Sequence, residues 1–288
     1  MASTRFRPFR FRQWLVPFGA IGVAITPFIF GSCTERLFYV PTREATPAPL
    51  WWSADAKAIR FASADGTDLV GWFVPAIGSA PEKAATIVHV HGNAGSMNSH
   101  QAFVNHWPSA GFNVFLFDYR GYGESAGRAR QRDELIADTL AALATVRTLP
   151  NVDPARIVLS GQSLGGAVAI IACAQDAARG GSLRGLLLEA PFASWRDVAA
   201  DHVGRLLASS VGDAPRPLDA IAELHLPILI LHGEADAIVP VDHGKRLAAV
   251  APNATLVTFP SGEHNTLQES HPEVRRRMVE FARAVSGP

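Results

Sequence analysis

Cysteine is almost missing from this chain: Cys33 and Cys173 are the two in 288 residues. Cys33 follows an apolar run and Cys173 sits in an alanine-rich helical run, so no disulfide is expected and Cys173 reads as a small buried apolar residue. An excess of charge of either sign is missing too. Lys and Arg number 26 and Asp and Glu 26, and a net charge of zero argues against nucleic acid as a general electrostatic partner. No internal repeat and no long low-complexity segment is visible. Clusters of Cys, His and Asp at metal-ligand spacing are also absent. His89 and His91, two apart on a predicted strand, share a face, but without companions they read as structural residues rather than metal ligands. Neither a metal nor a cofactor is expected.

What the chain does have is apolar residue. Hydrophobic residues make up 48% and charged ones 18%, enough at this length for one large α/β domain with a good core. A β-rich lead-in (Ala58–Phe61, an Asp65-Gly66 turn, Leu69–Val74) precedes strand-like runs near 86–91, 113–117, 156–160, 184–189, 227–231 and 254–259. Helical runs fall between them, near 98–109, 131–148, 164–178, 241–250 and 271–285. Asp153-Pro154 marks a turn before a strand, and Pro272 stands at a helix first turn. The alternation predicts an α/β fold with a mostly parallel central sheet covered by helices on both faces.

Gly161-Gln162-Ser163-Leu164-Gly165 sits between a strand-like run and a helical run. That context turns the weak pattern G-x-S-x-G into a specific one, a nucleophilic serine on a tight turn. A serine hydroxyl alone is a poor nucleophile at neutral pH and needs a base to take its proton. Two later loops supply candidates, Asp236 after the 227–231 strand and His264 in Gly262-Glu263-His264-Asn265 after the last strand. The chain order Ser163, Asp236, His264 is that of the α/β-hydrolases. The imidazole would shuttle the proton while the carboxylate holds its tautomer and stabilises the imidazolium. The developing oxyanion needs preorganised N–H donors, each worth ~3 kcal/mol of barrier. Leu164 N–H is one. The second is expected from the loop His91-Gly92-Asn93-Ala94-Gly95, at Asn93, with Ala94 as the alternative.

Those segments, with Asp118-Tyr119-Arg120-Gly121-Tyr122-Gly123, resemble the serine α/β-hydrolase superfamily, in particular its small-lid branch of alpha/beta hydrolase domain-containing proteins. The resemblance runs from about Ala58 to Val285, five motifs in family order, and departs in having Thr266 where the family often has Asp. It implies an acyl hydrolase and little more; with the triad chemistry and the N-terminal segment, the expected substrate is a small-molecule carboxylic ester or thioester, lipid-like in its acyl part, cleaved through an acyl-enzyme and without a cofactor. Three other readings stay open: a non-catalytic envelope-associated binding protein on the same fold, a serine peptidase, and Glu189 as an alternative triad acid. A dehalogenase would need a carboxylate at position 163. Asp118 and Arg120 read as loop braces. His225, His232, His243 and His271 read as solvated or structural.

Between Glu189 and Pro227 lie 37 residues, the place for a lid, about 191–226. Trp195, Val198, Ala199, His202, Val203, Leu206 and Leu207 recur there at helical spacing. Beside the plain reading, a stripe packed on the sheet, Trp195, Leu206 and Leu207 are candidates to line an acyl pocket. At the other end, Arg5, Arg7, Arg10 and Arg12 precede 17 uncharged residues, Trp14 to Phe30, and then Gly31-Ser32-Cys33. Residues 1–33 thus read as a signal peptide with a lipoprotein box ending at Cys33, as an uncleaved membrane anchor, or as a signal leaving a soluble form. A helix of 17 residues spans ~25 Å, short of a ~30 Å hydrocarbon core unless its flanks join in. The arginines place the catalytic domain on the outer side of the membrane. Residues 34–57 are a lead-in, with Pro41 to Pro49 as a stiff linker, and 58–288 form the hydrolase domain.

Overall fold

A strand with apolar side chains on both faces is stable only when both are covered, and this chain has several. The computed structural model describes residues 39–45, 55–78 and 81–287. Its strands are β1 (Val40–Pro41), β2 (Lys57–Ala62), β3 (Asp68–Val74), β4 (Thr86–Val90), β5 (Ala94–Gly95), β6 (Asn113–Asp118), β7 (Ile157–Gln162), β8 (Gly185–Glu189), β9 (Ile228–Gly233) and β10 (Ala254–Phe259). β1 pairs with β5, and the other eight form one sheet in the order β10-β9-β8-β7-β4-β6-β3-β2. From β10 to β6 the neighbours are parallel; β3 and β2 close the far end as an antiparallel pair. The five interior parallel strands β4, β6, β7, β8 and β9 are buried along their whole length, while the edge strands β2 and β10 are partly exposed.

The helices are α1 (Met97–Val104), α2 (Arg132–Arg147), α3 (Leu164–Ala178), α4 (Trp195–Val203), α5 (Arg205–Ala208), α6 (Pro217–Ala222), α7 (Asp242–Val250), α8 (Leu267–Ser270) and α9 (Glu273–Ser286). They divide the core in two. Residues of α2, α3 and the lid helices pack one face of the sheet, and Met97 and Val104 of α1 with Val274, Met278 and Ala282 of α9 pack the other. α1 is shorter than its helical pattern predicts, because Pro108 cannot continue a helix and opens a 3₁₀ turn that Gly111 ends in the left-handed conformation. Cys173 lies inside α3, and burial pushes its thiol up to about 12. Cys33 and the apolar run 14–30 fall outside the described residues. Among the described residues no helix is long and apolar enough to cross a membrane.

The described part of the linker that Pro41 to Pro49 suggest is docked onto the domain. Thr42 N–H donates to Gly95 O at 2.7 Å, Gly123 N–H donates to Thr42 O at 2.8 Å, and Tyr39 is buried in the larger core cluster. The segment docks because its backbone groups find partners in two loops that would otherwise leave their own unpaired. Both loops follow the carboxyl ends of parallel strands, β4 and β6.

Buried charges brace this edge. Arg120 donates from Nε and Nη2 to Asp138 at 3.1 and 2.7 Å, and from Nη1 to Asp65 at 2.6 Å. Asp138 is fully buried and also accepts the Arg120 backbone N–H at 2.9 Å. Asp118 accepts Met97 N–H at the start of α1, 2.6 Å away, and burial pushes its carboxyl up to about 7. Breaking a buried pair from one side strands the partner's charge. Asp138→Ala is therefore expected to cost about 3 kcal/mol of unfolding free energy, measured by denaturant titration, whereas a loss below about 1 kcal/mol would mean that Asp65 alone suffices.

Glu189, the last residue of β8, is buried with Gln268 Nε2 donating to it at 2.7 Å, and burial pushes its carboxyl up to about 7. The native state then holds a proton that the unfolded chain releases. Its contribution is present in full below the ordinary glutamate range and is lost as pH rises towards 7, by about 1.4 kcal/mol per pH unit. Glu189→Gln is expected to remove that slope. Between pH 5 and 7 the wild type should lose roughly 2 kcal/mol relative to the variant in chemical unfolding. A gap that is constant with pH would mean an ionised Glu189.

Candidate active site

β7 ends at Gln162 and α3 begins at Leu164, so Ser163 is the whole turn between them, with φ 55° and ψ −119°. Positive φ is costly for any residue with a side chain. Among the described residues only Ser163 and Ala190 adopt it without being glycine. The turn is tight because α3 lies directly against the strand ends. A Cβ on Gly165 would stand 2.0 Å from Val90 O, and one on Gly161 would stand 2.4 Å from Gly165 O. The strain is held by hydrogen bonds on both sides. Ser163 N–H donates to Glu189 O at 2.9 Å, and Ser163 O accepts from Gly166 N–H at 2.9 Å.

His264 arrives from the loop after β10. This loop and the one carrying Asp236 are zipped together, Glu234 N–H donating to Phe259 O at 2.8 Å and Ala235 N–H to Gly262 O at 3.0 Å. The three side chains then form one line. The Ser163 hydroxyl donates to His264 Nε2 at 2.8 Å, and His264 Nδ1–H donates to Asp236 Oδ2 at 2.6 Å. Asp236 Oδ1 accepts two further bonds, from Ile238 N–H at 2.9 Å and Val239 N–H at 2.8 Å. Burial opposes the Asp236 charge, but hydrogen bonds from His232 and His264, together with the Val239 N–H, hold its carboxyl well below the usual range. His264 and Asp236 are nearly buried, whereas Ser163 is partly open.

Leu164 opens α3, so its N–H has no partner within the helix and points out of its N-terminal end. Asn93 lies in the loop after β4, its Oδ1 accepting from Tyr122 OH at 3.1 Å and from Val40 N–H at 3.2 Å. Under that loop, burial pulls His89 down to about 3 and His100 down to about 4, and His91 falls well below its usual value for the same reason. His89 Nδ1 meets Ser160 Oγ at 3.2 Å and His91 Nδ1–H donates to Gly92 O at 2.7 Å. Among the described residues no three His, Cys, Asp or Glu side chains gather as a metal site.

Other candidates lie elsewhere. Glu189 bonds Gln268 and makes no hydrogen bond to His264. Trp195 does not line an open pocket: its ring packs edge-on to Phe192, the Arg132 guanidinium covers it at 4.6 Å, and its N–H donates to Pro215 O at 2.9 Å. Leu206 and Leu207 stand in solvent, 87% and 64% exposed. The stripe they were read from is cut at Gly204, whose φ of 82° separates α4 from α5 and turns the later leucines away. His232 and His243 are buried rather than solvated. His232, at the end of β9, donates to Val239 O at 2.8 Å and lies 3.5 Å from Asp236, while His243 bridges Ala193 N–H and Asp201. Sequence reasoning missed His232 as a support of the acid loop, although its place four residues before Asp236 was a usable signal.

Comparison with known proteins agrees with this architecture. Residues 81–216 match a family model described as serine aminopeptidase S33, and residues 208–286 match one described as TAP-like protein. The chain is 36% identical over 274 residues to YfhR of Escherichia coli strain K12, an uncharacterized protein, covering 92% of this chain and 93% of that one. It is 34% identical over 274 residues to the alpha/beta hydrolase domain-containing protein WAV2 of Arabidopsis thaliana, covering 86% of each. Among solved structures the esterase Pf2001 of Pyrococcus furiosus superposes with a TM-score of 0.69, over 86% of this chain and 100% of that one, at 21% identity. That last likeness carries the fold alone. Identity to WAV2 along most of both chains, joined to the strand order and the strained serine turn, makes this chain a member of the α/β-hydrolase superfamily.

Proposed function

We propose that this protein is a serine hydrolase that cleaves carboxylic esters or thioesters with lipid-like acyl groups. The observation that carries the reading is the unbroken hydrogen-bonded line from Ser163 through His264 to Asp236. In the proposed reaction Ser163 Oγ attacks the acyl carbonyl carbon while its proton passes to His264 Nε2. The carbonyl π electrons move onto oxygen, which the N–H groups of Leu164 and Asn93 stabilise. Collapse of this intermediate breaks the bond to the leaving oxygen or sulfur, which takes the proton from His264. Water then repeats the steps on the acyl-enzyme, giving the free acid and restoring Ser163. Asp236, kept ionised, is suited to stabilise the imidazolium without taking its proton.

The membrane is the proposed setting. The apolar run 14–30 and its preceding arginines support tethering with the domain on the outer side. The chain enters the described domain at Tyr39, beside the loops at the carboxyl edge of the sheet where Ser163 lies. A tether from that edge keeps the site near lipidic esters. The aminopeptidase description of the matched family model favours amide cleavage as a second reading.

A fluorophosphonate probe is expected to label the wild type at Ser163, with labelling abolished in Ser163→Ala and read by peptide mass spectrometry. Labelling retained in that variant, or absent from folded wild type, would remove the assignment, and the second outcome would favour a binding protein. Asp236→Asn is expected to lower kcat about 10³- to 10⁴-fold, because the His264 tautomer is no longer fixed. A panel of p-nitrophenyl esters, acyl thioesters and aminoacyl amides of graded length separates the substrate classes, with esters or thioesters turned over fastest. Preference for the amides would shift the reading to a peptidase.

A further inference from the structure

We infer that residues 39–43 are a strap that positions the oxyanion loop, which makes the segment before the hydrolase domain a working part of the active site. This rests on the reading of Ser163 as nucleophile and of Asn93 N–H as an oxyanion donor. The loop 92–95 is met from the domain by Tyr122 OH on Asn93 Oδ1 and by His100 Nε2, which donates to Ala94 O at 3.0 Å. The strap meets it from the other side. Val40 N–H donates to Asn93 Oδ1, Thr42 N–H donates to Gly95 O, and β1 runs parallel to β5 with Val40 opposite Ala94. Asn93 Oδ1 thus accepts one bond from the domain and one from the strap, and turning the carboxamide would break both. The strap's remaining groups hold the loop after β6. Gly123 N–H donates to Thr42 O, and Arg43 donates to Ser125 O at 3.2 Å and to Gly127 O.

A segment that merely covered the core would bury apolar surface along its length. This one buries a single side chain, Tyr39, while Val40 stays 55% exposed and residues 41–45 are exposed throughout. Its interactions are backbone and guanidinium hydrogen bonds to two loops at the catalytic edge. Tyr39, Val40, Thr42 and Arg43 are positioning residues, acting on the reaction through Asn93. Catalysis is sensitive to such placement, since donors help only where the oxyanion forms.

The test uses the full chain carrying Tyr39→Ala and Arg43→Ala together, which loosens both ends of the strap. Hydrolysis of a p-nitrophenyl ester is compared with inhibition by a trifluoromethyl ketone bearing the same acyl chain, which forms an oxyanion adduct on the serine. Outright loss of one oxyanion donor costs about 10²–10³ in kcat, so a loosened loop is expected to cost ~10- to 100-fold, with KM changed less than about threefold. The inhibitor's Ki is expected to rise by the same factor as kcat falls, and amide hydrogen exchange at residues 94–95 is expected to quicken. An unchanged kcat and Ki would overturn the proposal, as would a loss confined to Tm and KM. If the double variant fails to fold, Arg43→Ala alone is judged by the same readouts. Wild type that neither hydrolyses esters nor takes up a fluorophosphonate would defeat the underlying reading instead; active wild type with indifferent variants would defeat the strap alone.

Discussion

The geometry of this site depends on how closely α3 can approach the carboxyl ends of β4 and β7. Helix and strand meet backbone to backbone, with Gly165 against Val90 O and Gly161 against Gly165 O. That contact leaves one residue to make the whole reversal from strand to helix, and Ser163 makes it at positive φ. The small residues that fill α3, Gly166, Ala167 and Ala169 among them, serve the same end by letting the helix settle onto the sheet. Its first N–H groups are thereby brought to the serine, where their partial positive charge suits an anion.

Much of this was legible in the sequence because it rests on local patterns. Largely apolar runs announced interior parallel strands, and β4, β7, β8 and β9 lie within a residue or two of where those runs put them. Ser163, Asp236 and His264 were readable because each stands just past a strand, and parallel strands deliver such positions to a common edge. The errors came where a pattern was extended across a break. Leu206 and Leu207 continued a helical stripe on paper, yet Gly204 turns the chain and leaves them in water. Trp195 was a pocket candidate as the first member of that stripe, while its N–H needed a buried acceptor and found one in Pro215 O. The docking of residues 39–43 had no such signature. It depends on backbone hydrogen bonds to loops more than fifty residues away, which neither composition nor periodicity encodes.

Two buried carboxyls at one sheet edge show how environment assigns their states. Glu189 ends the parallel strand β8, Asp236 follows the parallel strand β9, and both lose most of their water. Asp236 recovers that loss with three close donors, the N–H groups of Ile238 and Val239 and the ring of His264, with His232 Nε2 3.5 Å away. Glu189 has Gln268 on one oxygen and no partner on the other, so burial prevails and the neutral acid is favoured. Only a carboxylate can stabilise an imidazolium, and a neutral acid beside the histidine would instead compete for its lone pair. The zipping of the Asp236 loop onto the His264 loop therefore does more than bring two residues into contact. It orients the backbone donors that keep one of the two carboxyls charged, and that one is the carboxyl in contact with His264.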